Sequence, residues 1–310
     1  MTQFNLRVFT DKSWCKRQWR YWLSDPFWGA LDYICHYSLR IIPIAANAAI
    51  GRFLGPLAAK YRFTKEHQRA EHNLVQLRPE LSQTERNEML TQMWQHIGCH
   101  MAEYSLLDKL FAAKRVTIIN EQVLTPFIQQ KQAMIFVFAH TGNWELCGNY
   151  VIGYGFDVMG LYHPVRNRFA SRIADSARER MGGVIKLIPS GPEAMRKMCK
   201  QLAGQGALWL AIDEVKKQQL KVPAFGRAPA LHSSNLSFAL RLAQRYQATI
   251  IPIWPLREPG SRFTITLGQP IKPPPGDEAF QQGFHVLEQQ LEKWLKAHTE
   301  QWYMLHDFTL

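Results

Sequence analysis

At 310 residues, 46% of them hydrophobic and 20% charged, the chain can bury one large core and carry a helical appendage. An excess of 37 basic over 25 acidic residues, net +12, points to anionic partners: nucleic acid, phospholipid headgroups or an acidic carrier protein. The five cysteines are scattered and form no CxxC pair, which argues against a disulfide framework or a structural zinc site and fits a reducing compartment.

Met1–Phe9 is charged and no apolar run follows it, so no signal peptide is read there. Lys12, Lys16, Arg17 and Arg20 then border a cluster of Trp19, Trp22, Phe27 and Trp28. Aromatic rings beside basic side chains suit a membrane interface, where a ring is half wet and half apolar; an aromatic-rich core is the bland alternative. Asp25-Pro26 reads as a helix N-cap with proline in the first turn. From Phe27 to Ala59 the chain is at its most hydrophobic, but Asp32, Arg40 and Arg52 interrupt it. Its longest uncharged run, Ile41–Gly51, is about half of the roughly 20 residues that a membrane span requires. Residues 1–60 are therefore expected to form a helical membrane-associating segment in or dipping into the cytoplasmic face of the inner membrane. A span with snorkelling arginines and a soluble helical hairpin are the alternatives.

Residues 61–310 are expected to form the main domain. Helical signals continue to about Lys114, with Ser82-Gln-Thr-Glu85 a capping box opening a helix through Met89, Met93, Trp94 and Ile97. On that helix His96, His100 and Glu103 fall about one turn apart. Without a fourth ligand, an exposed helix face is preferred to zinc. From Val116 short apolar runs alternate with helical stretches. Strands are predicted at Ala133–Phe138, Val184–Ile188, Ala207–Ile212, Thr249–Trp254 and Phe263–Leu267. Helices are predicted from a second capping box at Ser190–Glu193 to near Leu202, at Ser234–Gln247 and at Ala279–His298. This order predicts an α/β fold with a mostly parallel central sheet flanked by helices.

The chemical centre is IFVFAHTGNWELCGNY. A buried strand would deliver His140 to its carboxyl end, where open α/β sheets gather reactive groups. Gly142 permits a tight turn, Asn143 can cap the next helix, and Glu145 falls on its first turn. A carboxylate there can hold one imidazole nitrogen and leave the other as a base for a hydroxyl proton. A capped helix with a surface histidine is the alternative. Asp213, just past another buried strand, would lie at the same sheet edge as an orienter, an arginine partner or a turn cap. Arg166, Arg168, Arg172, Arg178 and Arg180 crowd one segment and could hold phosphates by forked hydrogen bonds, although a solvated face explains any single one of them. No Gly-x-Ser-x-Gly elbow supports a serine acyl-enzyme, and neither a Walker A nor a Gly-x-Gly-x-x-Gly motif supports a nucleotide. Nucleic-acid binding rests on charge alone and is not expected.

HTGNWE after a hydrophobic strand resembles the lysophospholipid acyltransferase superfamily, specifically its lipid A biosynthesis (late) acyltransferase branch. The ordered set of blocks carries the resemblance over nearly the whole chain. They are Glu71–Met89 with its Asn-Leu and Pro stretch, Glu103, Tyr162–Asn167, Arg178–Gly183, Ala211–Glu214, Pro223–Arg227, and Gln301-Trp302 with His306. The resemblance implies a membrane-surface O-acyltransferase with no cofactor. His140 would deprotonate the acceptor hydroxyl, Glu145 would orient it, and the hydroxyl would attack a fatty acyl thioester on acyl carrier protein. The acceptor would be a lipid A precursor or related anionic glycolipid or phospholipid, with Arg166 and Arg178 the preferred phosphate ligands and Arg180, Asn143 and Asp213 beside them. Departures at Glu214, at Leu231–Asn235 and at the closing residues 306–310 leave the acceptor open. Thioester or phospholipid hydrolysis, transfer of an aminoacyl group, or a non-catalytic basic membrane-binding protein are the competing expectations.

Overall fold

In the computed structural model, the structure describes residues 12–310 except 131, 163, 166 and 184. Six helices come first: α1 (Lys12–Trp19), α2 (Asp25–Ile41), α3 (Ile44–Tyr61), α4 (Thr64–Leu77), α5 (Gln83–Glu103) and α6 (Leu107–Ala112). A strand–helix alternation follows: β1 (Val116–Ile119), α7 (Thr125–Gln130), β2 (Met134–Phe138), α8 (Trp144–Gly153), β3 (Val158–Tyr162), α9 (Arg168–Glu179), β4 (Lys186–Pro189), α10 (Pro192–Ala203) and β5 (Ala207–Ala211). After a small hairpin of β6 (Val215–Lys216) and β7 (Gln219–Leu220) come α11 (Asn235–Tyr246), β8 (Thr249–Glu258), β9 (Arg262–Leu267) and α12 (Asp277–Ala297).

Seven strands form the central sheet in the order β1-β9-β8-β2-β5-β3-β4. All neighbours run parallel except β8 and β9. The expected mostly parallel sheet flanked by helices is what forms. Every residue of β2 is buried, as a strand covered on both faces must be. Its side chains alternate between two cores. Ile135 and Val137 point into one lined by α5, α11 and α12, while Met134, Phe136 and Phe138 enter the other beside α8.

Several boundaries differ from expectation for local reasons. The Ser82–Glu85 capping box is present, whereas α10 starts at Pro192 behind Gly191 with no side-chain cap, so Ser190 lies one residue too early. Asp25 is not an N-cap: α1 already runs into a π-helical turn over Arg20–Ser24, so Asp25 is helix interior and pairs with Arg20 at 3.5 Å. The fourth sheet strand begins at Lys186, with Val184 outside the described residues. The predicted strands did not include β1, β3, a short run holding a glycine, or the β6–β7 hairpin.

Among the described residues no helix is long and apolar enough to cross a membrane. The hydrophobic stretch breaks at Ile42-Pro43 into α2 and α3. Part of it is committed to packing: Gly51 and Gly55 of α3 lie against Gly98 of α5 so closely that a Cβ on Gly55 would sit 1.9 Å from the Trp94 carbonyl oxygen. The remainder faces outward, with Trp22, Phe27, Ile34 and Phe53 each about two-thirds exposed, at 66%, 67%, 64% and 68%.

Candidate active site

The register of the sheet creates the site. β2 and β5 pair in parallel with Phe138 opposite Ala211, so two residues further on His140 and Asp213 stand opposite one another, past the carboxyl ends of adjacent strands. Both continue the same face as Phe138 and Ala211. Thus each emerges on the α8 side. Asp213 Oδ1 lies 2.8 Å from His140 Nδ1, and Oδ2 accepts the backbone N–H of His140 at 2.9 Å. Trp302 Nε1 donates to the same Oδ2 at 3.0 Å.

Burial alone would raise the Asp213 carboxyl, but the charge and hydrogen bonds of His140, with the Trp302 donor, hold it below its ordinary value. It is therefore an anion, and Nδ1 carries the proton that faces it. Burial pulls the His140 ring down, yet the Asp213 charge and hydrogen bond, reinforced by Glu145, outweigh that and hold it above its ordinary value. Nε2 is left as the basic nitrogen. Trp144 and Phe138 stand edge-on to the ring, with centroids 4.9 and 5.4 Å away.

The ring's carboxylate is thus Asp213, one of the three roles that the sequence left open for it. Glu145 is placed differently from the expected imidazole bond. On the first turn of α8 it faces α5 and α9, where Arg178 Nε reaches Oε2 at 2.9 Å and Nη2 reaches Oε1 at 2.7 Å, while the Tyr104 phenol also donates to Oε1. Burial would raise the Glu145 carboxyl, but Arg178 and Tyr104 bring it below its ordinary value. Glu145 acts on His140 through charge rather than contact.

Of the arginines, Arg178 is committed to Glu145 and also donates to the Tyr104 hydroxyl at 2.8 Å, so its guanidinium is part of the wall. Arg180 bonds Ser176 at 2.8 Å and contacts His36 Nε2 of α2 at 3.0 Å. Arg166 lies outside the described residues. Asn143 does not cap α8 with its side chain. Its amide instead donates to Glu103 Oε2 at 3.2 Å, and Glu103 is in turn paired with buried Arg257 of β8. Gly142 has φ +55°, and a Cβ there would lie 2.9 Å from the Pro255 carbonyl, so the turn needs glycine on both counts.

His100 and Glu103 are buried, not on the exposed helix face expected of them. His100 stacks on Trp144 with centroids 3.9 Å apart, and burial pushes its pKa down to about 3, so it is neutral there. Among the described residues no three ligating side chains form a metal site. Sequence reading did not find Tyr104, Arg257 or the Trp302 contact. The signal available was weak: a buried glutamate needs a cation, and Arg257 follows the apolar run Ile250–Leu256 in β8.

His140, Asp213, Glu145 and Arg178 line one side of a cavity of about 580 Å³. Leu161, Ile185, Leu187 and Trp209 give it an apolar wall, and Ser190, Glu214, Lys216 and Asn235 also line it. A histidine–carboxylate pair in the wall of a partly apolar pocket, on a mostly parallel α/β sheet, makes a site able to activate a hydroxyl beside a hydrocarbon group. The chain matches the sequence model of the bacterial lipid A biosynthesis acyltransferases over residues 10–308, and it belongs to that family. It is therefore an acyltransferase by family. No curated protein sequence matches it.

Proposed function

We propose that the protein is a membrane-surface O-acyltransferase that moves a fatty acyl group from an acyl carrier protein thioester to a hydroxyl of a lipid A precursor or related anionic glycolipid. The observation carrying this reading is the His140–Asp213 pair lining a cavity of about 580 Å³ that has an apolar wall. The acyl tail occupies the cavity. The acceptor hydroxyl gives its proton to His140 Nε2 as its oxygen bonds the thioester carbonyl carbon. Asp213 stabilises the imidazolium so formed. Collapse of the tetrahedral intermediate breaks the C–S bond, and the imidazolium returns the proton to the departing thiolate. Backbone N–H groups around the Gly142 turn are the candidate donors for the oxyanion. Glu145, held by Arg178, pins α8 to α9 and adds negative charge that favours the imidazolium.

The outward aromatic face of α1–α3 supports attachment to the cytoplasmic face of the inner membrane. Trp22, Phe27 and Trp28 are exposed there, and Arg168 of α9 lies over the Tyr21 ring at 3.8 Å. Because α9 also carries Arg178 in the cavity wall, one helix links the aromatic face to the site.

The test is an assay with long-chain acyl carrier protein and glycolipid acceptors, comparing the native chain with His140→Ala and Asp213→Ala. Both variants should lose acyl transfer. If both transfer at the native rate, the reading fails; thioester loss without an acylated lipid would indicate a hydrolase instead.

A further inference from the structure

The histidine–aspartate pair is completed by residues far from it in sequence. Gln301 clasps the end of β8, its amide accepting the Arg257 N–H at 2.8 Å and donating to the Arg257 carbonyl at 3.0 Å. Trp302, fully buried, donates to Asp213 Oδ2. The Tyr303 N–H donates to the His140 carbonyl at 2.8 Å. Three consecutive residues therefore hold the strand beside β2, the catalytic carboxylate and the catalytic histidine's own backbone. This segment is gripped in turn by Asn73 of α4, which is wholly buried. Asn73 Nδ2 donates to the carbonyls of Leu305 at 2.8 Å and Phe308 at 2.6 Å, and its Oδ1 accepts the Leu310 N–H at 3.1 Å. Arg69, one turn earlier, reaches the His306 carbonyl at 3.1 Å.

We propose that Trp302 is a positioning residue for acyl transfer, setting the orientation and basicity of the Asp213 carboxylate, and that Asn73 fixes Trp302 in place. The inference rests on the reading of His140 as the base held by Asp213. A carboxylate turns easily about its Cβ–Cγ bond, and three donors remove that freedom: the His140 ring, the His140 backbone and the Trp302 indole. The indole also spreads the negative charge away from the imidazole. The Trp302 N–H is aimed at the same carboxylate that the imidazole uses. Its ring packs near Phe308 and Phe225, at 5.1 and 5.9 Å, and phenylalanine would keep much of that packing while deleting only the donor.

The experiment follows acyl-thioester consumption and lipid acylation against pH for the native chain, His140→Ala, Trp302→Phe and Asn73→Ala. Trp302→Phe should lower kcat about tenfold, the worth of one hydrogen bond to a charged group, while changing KM for the donor by no more than about twofold. Its acid limb should move to higher pH, because a carboxylate stripped of one donor holds the imidazolium more tightly. Asn73→Ala keeps the indole and should shift the limb in the same direction, with the last residues newly open to a protease. Native kcat and an unmoved acid limb in a folded Trp302→Phe chain would overturn the proposal. So would a rate loss in both variants that follows only the folded fraction. An active His140→Ala chain would instead sink the underlying reading, which keeps the two failures distinct.

Discussion

One carboxylate meets His140 twice: Asp213 accepts its ring N–H through Oδ1 and its backbone N–H through Oδ2, at 2.8 and 2.9 Å. The ring thereby inherits its tautomer and its direction from a group that also fixes the peptide it hangs on. Asp213→Asn should keep the shape but lose the charge, and a comparable loss elsewhere costs about 10⁴-fold in kcat. The pH dependence has a definite sign. A base must be neutral, so the native rate falls as pH drops through the His140 value, which lies above its ordinary 6.5. Without the Asp213 charge, burial dominates and the acid limb should move to lower pH. A limb that stays in place would mean that another group holds the imidazolium. For stability, the raised His140 value contributes below about 6.5 and that contribution is lost as pH rises through the folded value, while the depressed Asp213 value contributes above about 3.9 and is lost on acidification.

Arg178 and Glu145 should behave as a wall rather than a phosphate clamp. Arg178→Met leaves a buried carboxylate without its cation, a change that costs about 3–5 kcal/mol of stability. The double variant Arg178→Met with Glu145→Leu should recover much of that in a denaturant titration. In kinetics, donor hydrolysis and acceptor acylation should fall together. A rise confined to the acceptor KM would place Arg178 on the acceptor instead.

Acyl-chain preference should respond to Gly148 of α8, which faces the cavity with the tip of Ile185 where a Cβ would point. Gly148→Leu should shift preference toward shorter donors, with each excluded methylene worth about 0.8 kcal/mol. Competition between two carrier-bound chain lengths reads the shift directly. Unchanged preference would place the tail outside this cavity.

Exposed Trp22, Phe27 and Trp28 lie on one helical stretch beside basic side chains. Replacing all three by serine should reduce co-sedimentation with anionic phospholipid vesicles while leaving the circular dichroism spectrum close to native. Full vesicle binding by that variant would mean that another surface makes the attachment.

The sheet was legible because β2, β5 and β8 are continuous apolar runs, the mark of strands buried on both faces. His140 was legible because a buried strand precedes it and Gly142 and the start of α8 follow within four residues. The true partner of its ring was harder to see. Sequence places Glu145 five residues away and Asp213 seventy-three residues away, yet parallel register puts the distant one opposite the imidazole and turns the near one toward Arg178 and Tyr104. Local spacing measures distance along a helix; it carries no information about which strand will pair alongside. The same applies to Asn73, whose Asn-Leu stretch is visible in the sequence while its grip on residues 305–310 is a long-range contact.

The 89-residue separation of Trp302 from Asp213 also orders events during synthesis. The aromatic helices α1–α3 are made first, while the sheet is still incomplete. His140 and Asp213 follow, but the indole that steadies their carboxylate leaves the ribosome later than either. A chain interrupted before residue 302 would carry both members of the His140–Asp213 pair and still lack the donor that holds the carboxylate, so on the proposed function the site is finished only when the polypeptide is almost wholly made.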